Sequence, residues 1–243
     1  MRRLFYRGIL ADRVVIEGAD AHHLMHVMRA RCGQELVVVD DEGSVARMEI
    51  IGFSADAVHL RLVERFDADT EPPVHIALAP CLLKGEKMDL VVQKAVELGA
   101  VEILPVESAN CVVRYDMKKR EARAARWQKI ADEAAKQCGR SARVIVHAIR
   151  DLRAFLQEVQ ARTLIFCYEN EQQMPLKESL RTREDSRYAI LIGPEGGFSL
   201  DEAEQVTAAG GVSVTLGPRI LRAETAALAA LAALQYEKGD LGS

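Results

Sequence analysis

Apolar and polar positions change rhythm once along the chain, near residue 70. Before that point the runs are short. "DAHHLMHVMRAR" (20–31) has apolar residues at 24, 25, 27 and 28, the spacing of one short helix with Asp20 as its N-cap. "ELVVVDDEGSVARMEIIGF" (35–53) sets two strand-like runs around Asp41-Glu42-Gly43, a hairpin signal, and "AVHLRLVERF" (57–66) alternates like a third strand. The polar, proline-ended "DADTEPP" (67–73) is the expected linker.

After it, strands and helices alternate. "VHIALAP", "VEILPVES", "RVIVHAI", "TLIFCYE", "YAILIG" and "VSVTLG" are almost continuous apolar runs, each read as a strand. Between them lie helical patterns: "KMDLVVQKAVELGA", which stops at Gly99, "KKREARAARWQKIADEAAKQCG", which stops at Gly139, then "LRAFLQEVQ" and "DEAEQVTAAG". Such a pattern predicts an α/β domain whose mostly parallel sheet is buried on both faces. The last helix, "AETAALAALAALQYEKG", carries Leu228, Leu231 and Leu234 with alanines around them, and is expected to be buried in the core or against another subunit.

Composition narrows the class. Of 243 residues 49% are apolar and 28% charged, ordinary globular values, and no run of about 18 apolar residues is present to span a membrane. The start, "MRRLFYRGIL", lacks the long apolar core of a secretory signal. Five separated cysteines without a C-x-x-C pair fit a reduced, cytoplasmic protein without a zinc site. The net charge of −4 argues against nucleic acid, but its distribution does not: residues 114–153 hold 12 basic and 5 acidic side chains, a local net of +7. A segment of that kind attracts a polyanion within about a Debye length, although a solvated helix face accounts for it equally well.

Two loops carry the candidate chemistry. In "IGPEGGFSLDEAE" Ser199 is an N-cap with Glu202 three residues on, a capping box, and Phe198 is placed to pack on Ala203 as a hydrophobic staple. Gly193 to Gly197 then join a strand's carboxyl end to a helix start, where open α/β sheets bind ligands. The loop has no Walker or G-x-G-x-x-G pattern, and Glu195 would repel a phosphate there, so the ligand at that point is uncharged or positive. "LGPRILRAETAAL" repeats the arrangement: strand, Gly-Pro, helix, with Arg219 and Arg222 in the connection and Glu224 and Thr225 at the helix start. His22 and His26 share a helix face, but no acidic or cysteine ligand is near them, so no metal is expected. Phosphate or base contacts suit Arg29 and Arg31 better, and likewise Arg2, Arg3 and Arg7.

"IGPEGGFS" and "LGPRILRAETAAL" together resemble the paired motifs of the RsmE family, the 16S ribosomal RNA uridine-N3 methyltransferases of the SPOUT class. "HHLMHVMRAR", "KGEKMDLVVQKAVELGA" and "RWQKIADEAAKQCGR" agree in the same order, so the resemblance covers essentially the whole chain; Cys138 and Ala223 stand where the family usually has Ser or Thr. It implies a PUA-like RNA-binding β-barrel over 1–68 and, over 74–243, a SPOUT-type, trefoil-knotted, mostly parallel sheet flanked by helices. It also implies a homodimer joined through the carboxyl-terminal domain, acting in the cytoplasm on 16S ribosomal RNA within a small-subunit particle, with S-adenosyl-L-methionine as cofactor and neither metal nor membrane.

By position, the cofactor would meet Tyr168 and Glu169, then Ile192, Gly193 and Gly196, then Leu216, Gly217, Ile220 and Leu221. Arg222 would stabilise negative charge on the target base, while Glu195 and Glu224 would orient the base or accept its proton. RNA would contact Arg2, Arg3, Arg7, His22, His23, Arg29, Arg31, Arg114 and Arg140. The rival reading is an RNA-binding protein that retains the fold without catalysis; two intact Gly-Pro loops with Arg222, Glu224 and Thr225 argue against it.

Overall fold

Leu36 and Val38 face one apolar cluster, and Val37 and Val39 face another, so one strand with a continuous apolar run is buried on both sides. That strand belongs to the first of two units in a computed structural model that describes residues 3–67 and 70–242. The first unit comprises Met1–Glu71 with Ala135–Arg143, the second Pro72–Ala134 with Val144–Ser243.

In the first unit β1 (Arg3–Phe5), β2 (Arg13–Glu17), β3 (Glu35–Val39), β4 (Val45–Phe53) and β5 (Ala57–Phe66) form one sheet in the order β1-β3-β4-β5-β2. Only β1 and β3 run parallel. The hairpin at Asp41-Glu42-Gly43 forms as expected: Asp40 Oδ1 accepts from the amides of Glu42 and Ser44 at 3.0 and 2.8 Å, and Gly43 takes φ +81°. The His-rich segment departs from expectation. α1 (Gly18–His22) begins after Glu17, not Asp20, and continues as a π-helical turn over His23–Val27. Asp20 instead accepts from Lys136 at 2.9 Å.

The linker also differs from a solvated tether. Thr70 Oγ1 accepts from the Ser141 amide at 2.8 Å, and Glu71 Oε1 accepts from the amides of Ser141 and Ala142, each at 2.9 Å.

The second unit has a six-stranded, wholly parallel sheet. Its strands are β6 (His75–Pro80), β7 (Glu102–Ile103), β9 (Ile145–Val146), β11 (Thr163–Cys167), β12 (Arg187–Ile192) and β13 (Val212–Val214), in the order β13-β11-β12-β6-β7-β9. "VEILPVES" is broken at Leu104-Pro105, because proline has no amide to donate; β8 (Val106–Glu107) pairs with β10 (Arg150–Asp151) in a separate ribbon. Helices α2 (Lys87–Glu97), α3 (Met117–Cys138), α4 (Leu152–Glu158), α5 (Leu176–Arg181), α6 (Leu200–Ala208) and α7 (Ala223–Lys238) complete the element list.

α2 buries Met88, Val91, Val92, Ala95 and Val96, one stripe at helical spacing, and contacts α7. α7 does not bury its whole circumference within this chain. Ala227, Ala230, Leu231 and Leu234 are buried toward α2, α5, β6 and β12, whereas Thr225, Ala229, Ala233 and Tyr236 are exposed. Among the described residues no helix is long and apolar enough to cross a membrane.

Candidate active site

Parallel register fixes where the loops gather. Ile192 pairs with Cys167 on one side and with Pro80 on the other, and Cys167 pairs with Val214, so these strands end at one level. Beyond it lie the loops after β11, β12 and β13 and the start of α7, which together line a cavity of about 1070 Å³. A site outside the carboxyl ends of parallel strands is where this class of sheet binds ligands.

The β12–α6 loop is held from both ends. Ser199 Oγ accepts from the Glu202 amide at 3.2 Å, and Glu202 Oε2 accepts from the Ser199 amide at 3.0 Å, which is the capping box. Glu202 is 7% exposed, and its other oxygen accepts from the Ala109 amide at 2.6 Å. Asn110 Nδ2 then donates to the carbonyls of Gly196 and Gly197 at 3.3 and 3.2 Å. A Cβ on Gly193 would lie 3.1 Å from the Phe198 ring, and one on Gly196 3.1 Å from Asn110 Cβ. Gly197 at φ +67° closes a turn onto the Pro194 carbonyl at 3.0 Å.

Tyr168 and Glu169 follow β11, where the Tyr168 amide donates to Val214 at 3.1 Å. Burial pushes the neighbouring Cys167 thiol up to about 12, so it is an inert apolar wall. After β13, Thr215 is bridged to Pro175 and its hydroxyl accepts from the Gly217 amide at 3.2 Å. Leu216, Gly217, Ile220 and Leu221 all line the cavity, although Ile220 is 90% exposed.

Two charges that the sequence places far apart meet here. Lys87 Nζ, in the first turn of α2, donates to Glu195 Oε1 at 2.9 Å and stands 3.5 Å from Glu224 Oε2. Burial would raise the Glu195 carboxyl, but Lys87 and the Lys84 amide, which donates at 3.3 Å, hold it below the usual carboxylate range. Arg222 occupies the N-cap position of α7, lines the cavity and is exposed. Among the described residues its guanidinium has no hydrogen-bond or ion-pair partner. Neither Lys87 nor Asn110 is legible as a site residue from local pattern; 108 residues separate Lys87 from Glu195. Only the position of Lys87 within "KGEKMDL" hints at a role.

The residues expected to contact RNA are not alike. Arg7, His22, His23, Arg29 and Arg31 are exposed on the first unit, and Arg29 adopts φ +52°. The rings of His22 and His26 lie 4.6 Å apart, and among the described residues no cluster of three or more His, Cys, Asp or Glu is placed to hold a metal. Arg114 is exposed in the second unit while donating to Ala109 at 2.8 Å.

Arg140 is instead buried, 4% exposed, with its guanidinium on Glu71; Arg3 is half-buried and donates to the carbonyls of Gly139 and Arg140. In this structure both guanidinium groups are engaged by partners within the first unit. Arg2 lies outside the described residues.

Comparison with known proteins places this geometry. Residues 70–235 match the RNA methyltransferase domain family, and residues 16–63 the RNA methyltransferase PUA domain family. The chain is 35% identical over 230 residues to ribosomal RNA small subunit methyltransferase E of Bacillus subtilis, covering 91% of this chain and 89% of that one. The crystal structure of ribosomal RNA small subunit methyltransferase E from Neisseria gonorrhoeae, bound to S-adenosyl methionine, is similar with a TM-score of 0.88 at 32% identity, covering 99% of each chain. A putative methyltransferase from Legionella pneumophila in complex with the same cofactor gives a TM-score of 0.86 at 30% identity, covering 98% of each. On this evidence, the chain belongs to the ribosomal RNA small subunit methyltransferase E family.

Proposed function

We propose that this protein transfers the methyl group of S-adenosylmethionine to nitrogen 3 of a uridine in 16S ribosomal RNA. The observation that carries the reading is the meeting, at one cavity, of three strand-end loops with Arg222, a cation without a partner among the described residues, and an ionised carboxylate, Glu195.

The residues fit the cofactor. It carries no phosphate, and the wall has no phosphate cradle: a carboxylate, not a lysine, stands at the centre of the glycine loop. Close packing at Gly193 and Gly196 brings bare backbone to the cavity wall, where its amides and carbonyls can read an adenine edge. Tyr168, Ile192, Leu216, Ile220 and Leu221 would hold its apolar surfaces, and Glu169 with the Gly217 backbone its polar ones. When bound, the cofactor supplies an electrophilic methyl group on a sulfonium centre.

The chain's own residues do the rest. Neutral uracil carries a proton on N3 and must lose it to become nucleophilic. Arg222 stabilises the charge that then spreads to the carbonyl oxygens, a contribution of roughly 10²–10³ in rate for a donor of this kind. Glu195 or Glu224 orients the base or takes its proton, worth roughly 10²–10⁴. The base has to be unpaired to present N3, so the RNA is met at a loop or with the nucleotide splayed out.

In this reading residues 1–68 form the PUA-like RNA-binding domain, supported by the exposed Arg7, Arg29 and Arg31, and residues 74–243 the methyltransferase domain. The trefoil knot draws support from strand order: β12 enters between β11 and β6, and the chain later returns from edge strand β13 to pack α7 on β6. The exposed Thr225, Ala229, Ala233 and Tyr236 of α7 give a homodimer a face to use. The protein works in the cytoplasm, on a small-subunit particle.

Nucleoside mass spectrometry of 16S RNA from a strain lacking the gene, with and without the protein restored, tests the activity. N3-methyluridine should vanish and return with the protein. An unchanged level in all strains would overturn the reading.

A further inference from the structure

Lys87 is the cation that joins Glu195 of the cavity wall to Glu224 in the first turn of α7. It lines the same cavity as Arg222, 2.9 Å from Glu195 Oε1 and 3.5 Å from Glu224 Oε2. Among the described residues Glu224 Oε2 is buried and accepts no hydrogen bond, the Lys87 ammonium being its ion-pair partner. We propose that Lys87 is a positioning residue of the methyl-transfer site, standing between Glu195 and Glu224 so that their like charges are offset and one can take the proton that leaves the target base. The proposal rests on the uridine-methylation reading above. In the step, the N3–H bond breaks, an O–H bond forms on a glutamate, and the electron pair stays on N3 to bond the methyl carbon, whose bond to sulfur would break with its pair leaving on the sulfur as a neutral thioether.

Two partly buried carboxylates that share one cation differ sharply from two that do not. Without the ammonium their like charges oppose each other, and the Glu195 carboxyl holds its proton to higher pH. The charged groups facing Lys87 are Glu195 from the β12–α6 loop and Glu224 from the first turn of α7. Glu169, Glu171, Arg219 and Arg222 carry the other charges on the cavity wall. On α2 itself, Asp89 is engaged by Arg126 at 2.5 Å and by Trp127 Nε1 at 3.1 Å, and Glu86 precedes Lys87. Consistent with the geometry, the hydrogen bond to Glu195 holds the Lys87 ammonium above its ordinary value.

The test compares wild type, Lys87→Met and Lys87→Arg by pH–rate profile, and follows the glutamate carboxyls by ¹³C NMR in cofactor-free protein. Lys87→Met should move the acid limb upward by about one unit, lower turnover up to about tenfold on the acid side of the shifted limb, and approach the wild-type rate as pH rises. Its Glu195 carboxyl should titrate higher than in wild type, and Lys87→Arg should restore both readouts. A Lys87→Met enzyme with the wild-type acid limb, or with an unshifted Glu195 titration, overturns the proposal. Glu195→Gln and Glu224→Gln separate the two readings. If both methylate at the wild-type rate, the site reading fails and the Lys87 proposal with it. If either is slow while Lys87→Met keeps the wild-type profile, the Lys87 proposal alone fails.

Discussion

The carboxylate of Glu169 fills the space that a Cβ on Gly197 would need, and Gly197 sits at φ +67°. Both facts bear on one substitution. Gly197→Ala should cost about 1–2 kcal/mol for the left-handed backbone alone, and it must also push Glu169 out of the cavity wall. Calorimetric titration should show S-adenosylmethionine binding weakened tenfold or more, since about 1.4 kcal/mol is a factor of ten. Glu169→Ala in the Gly197→Ala background should recover only the steric part. Unchanged affinity in Gly197→Ala would show that the loop re-forms without that contact.

Glu202 serves two segments at once, so its loss should exceed that of an ordinary helix cap. Ser199→Ala removes one capping bond and should lower stability by about 1 kcal/mol. Glu202→Ala removes the reciprocal bond and also the charged acceptor of the Ala109 amide, which it meets at 2.6 Å, adding about 1–2 kcal/mol for that lost hydrogen bond. Denaturant midpoints of the two variants should therefore differ clearly. Because Asn110 beside Ala109 holds Gly196 and Gly197, Glu202→Ala should also weaken cofactor binding, whereas Ser199→Ala should spare most of it.

How much of this was legible from residues alone depended on whether the decisive contact was local. β6, β11 and β12 are apolar on both faces, and the capping box spans three residues, so pattern sufficed for them. α5 offers only Leu176 and Leu180 as apolar anchors in six residues, too few to show a period. Pro105 divides a run that otherwise reads as one strand. Arg140 belongs to a basic segment that promises a surface patch, but Glu71, 69 residues earlier in the chain, takes its guanidinium. The Lys87 bridge is lost for the same reason: sequence spacing does not report a pairing that only a parallel sheet and its loops create.

Glu102 lies in a separate charge cluster in the second unit, with His147 Nε2 at 2.8 Å, Arg162 at 2.8 Å and His75 Nε2 at 3.3 Å. The His147 contact, and after it Arg162, hold the carboxyl at about 2 against the opposing effect of burial. A carboxylate depressed in the folded state contributes stability that is complete above its unfolded value near 4.5 and is lost as pH falls from there toward about 2. A shift of that size corresponds to roughly 3 kcal/mol, which partial solvent exposure reduces to about 1–2 kcal/mol. Glu102→Gln should therefore unfold at lower urea than wild type at pH 7, with the gap narrowing between pH 4.5 and 3. A constant gap across that range would show that lost packing, not charge, sets the difference.

Arg222 offers the sharpest separation of binding from chemistry. Its backbone caps α7 without a side-chain hydrogen bond, so Arg222→Ala removes a guanidinium while leaving the helix start intact. Stability should change by no more than about 0.5 kcal/mol, as for a surface substitution that breaks no contact. Cofactor affinity measured by calorimetry should stay within about twofold, because the proposed role of the guanidinium lies on the base, not on the cofactor. Turnover on small-subunit RNA should fall by roughly 10²–10³, the cost of deleting one donor to a developing anion. Arg222→Lys should recover only part of that loss, since an ammonium presents a point charge where the planar guanidinium can span two acceptors. A fall in cofactor affinity matching the fall in rate would move Arg222 from the reacting base to the cofactor.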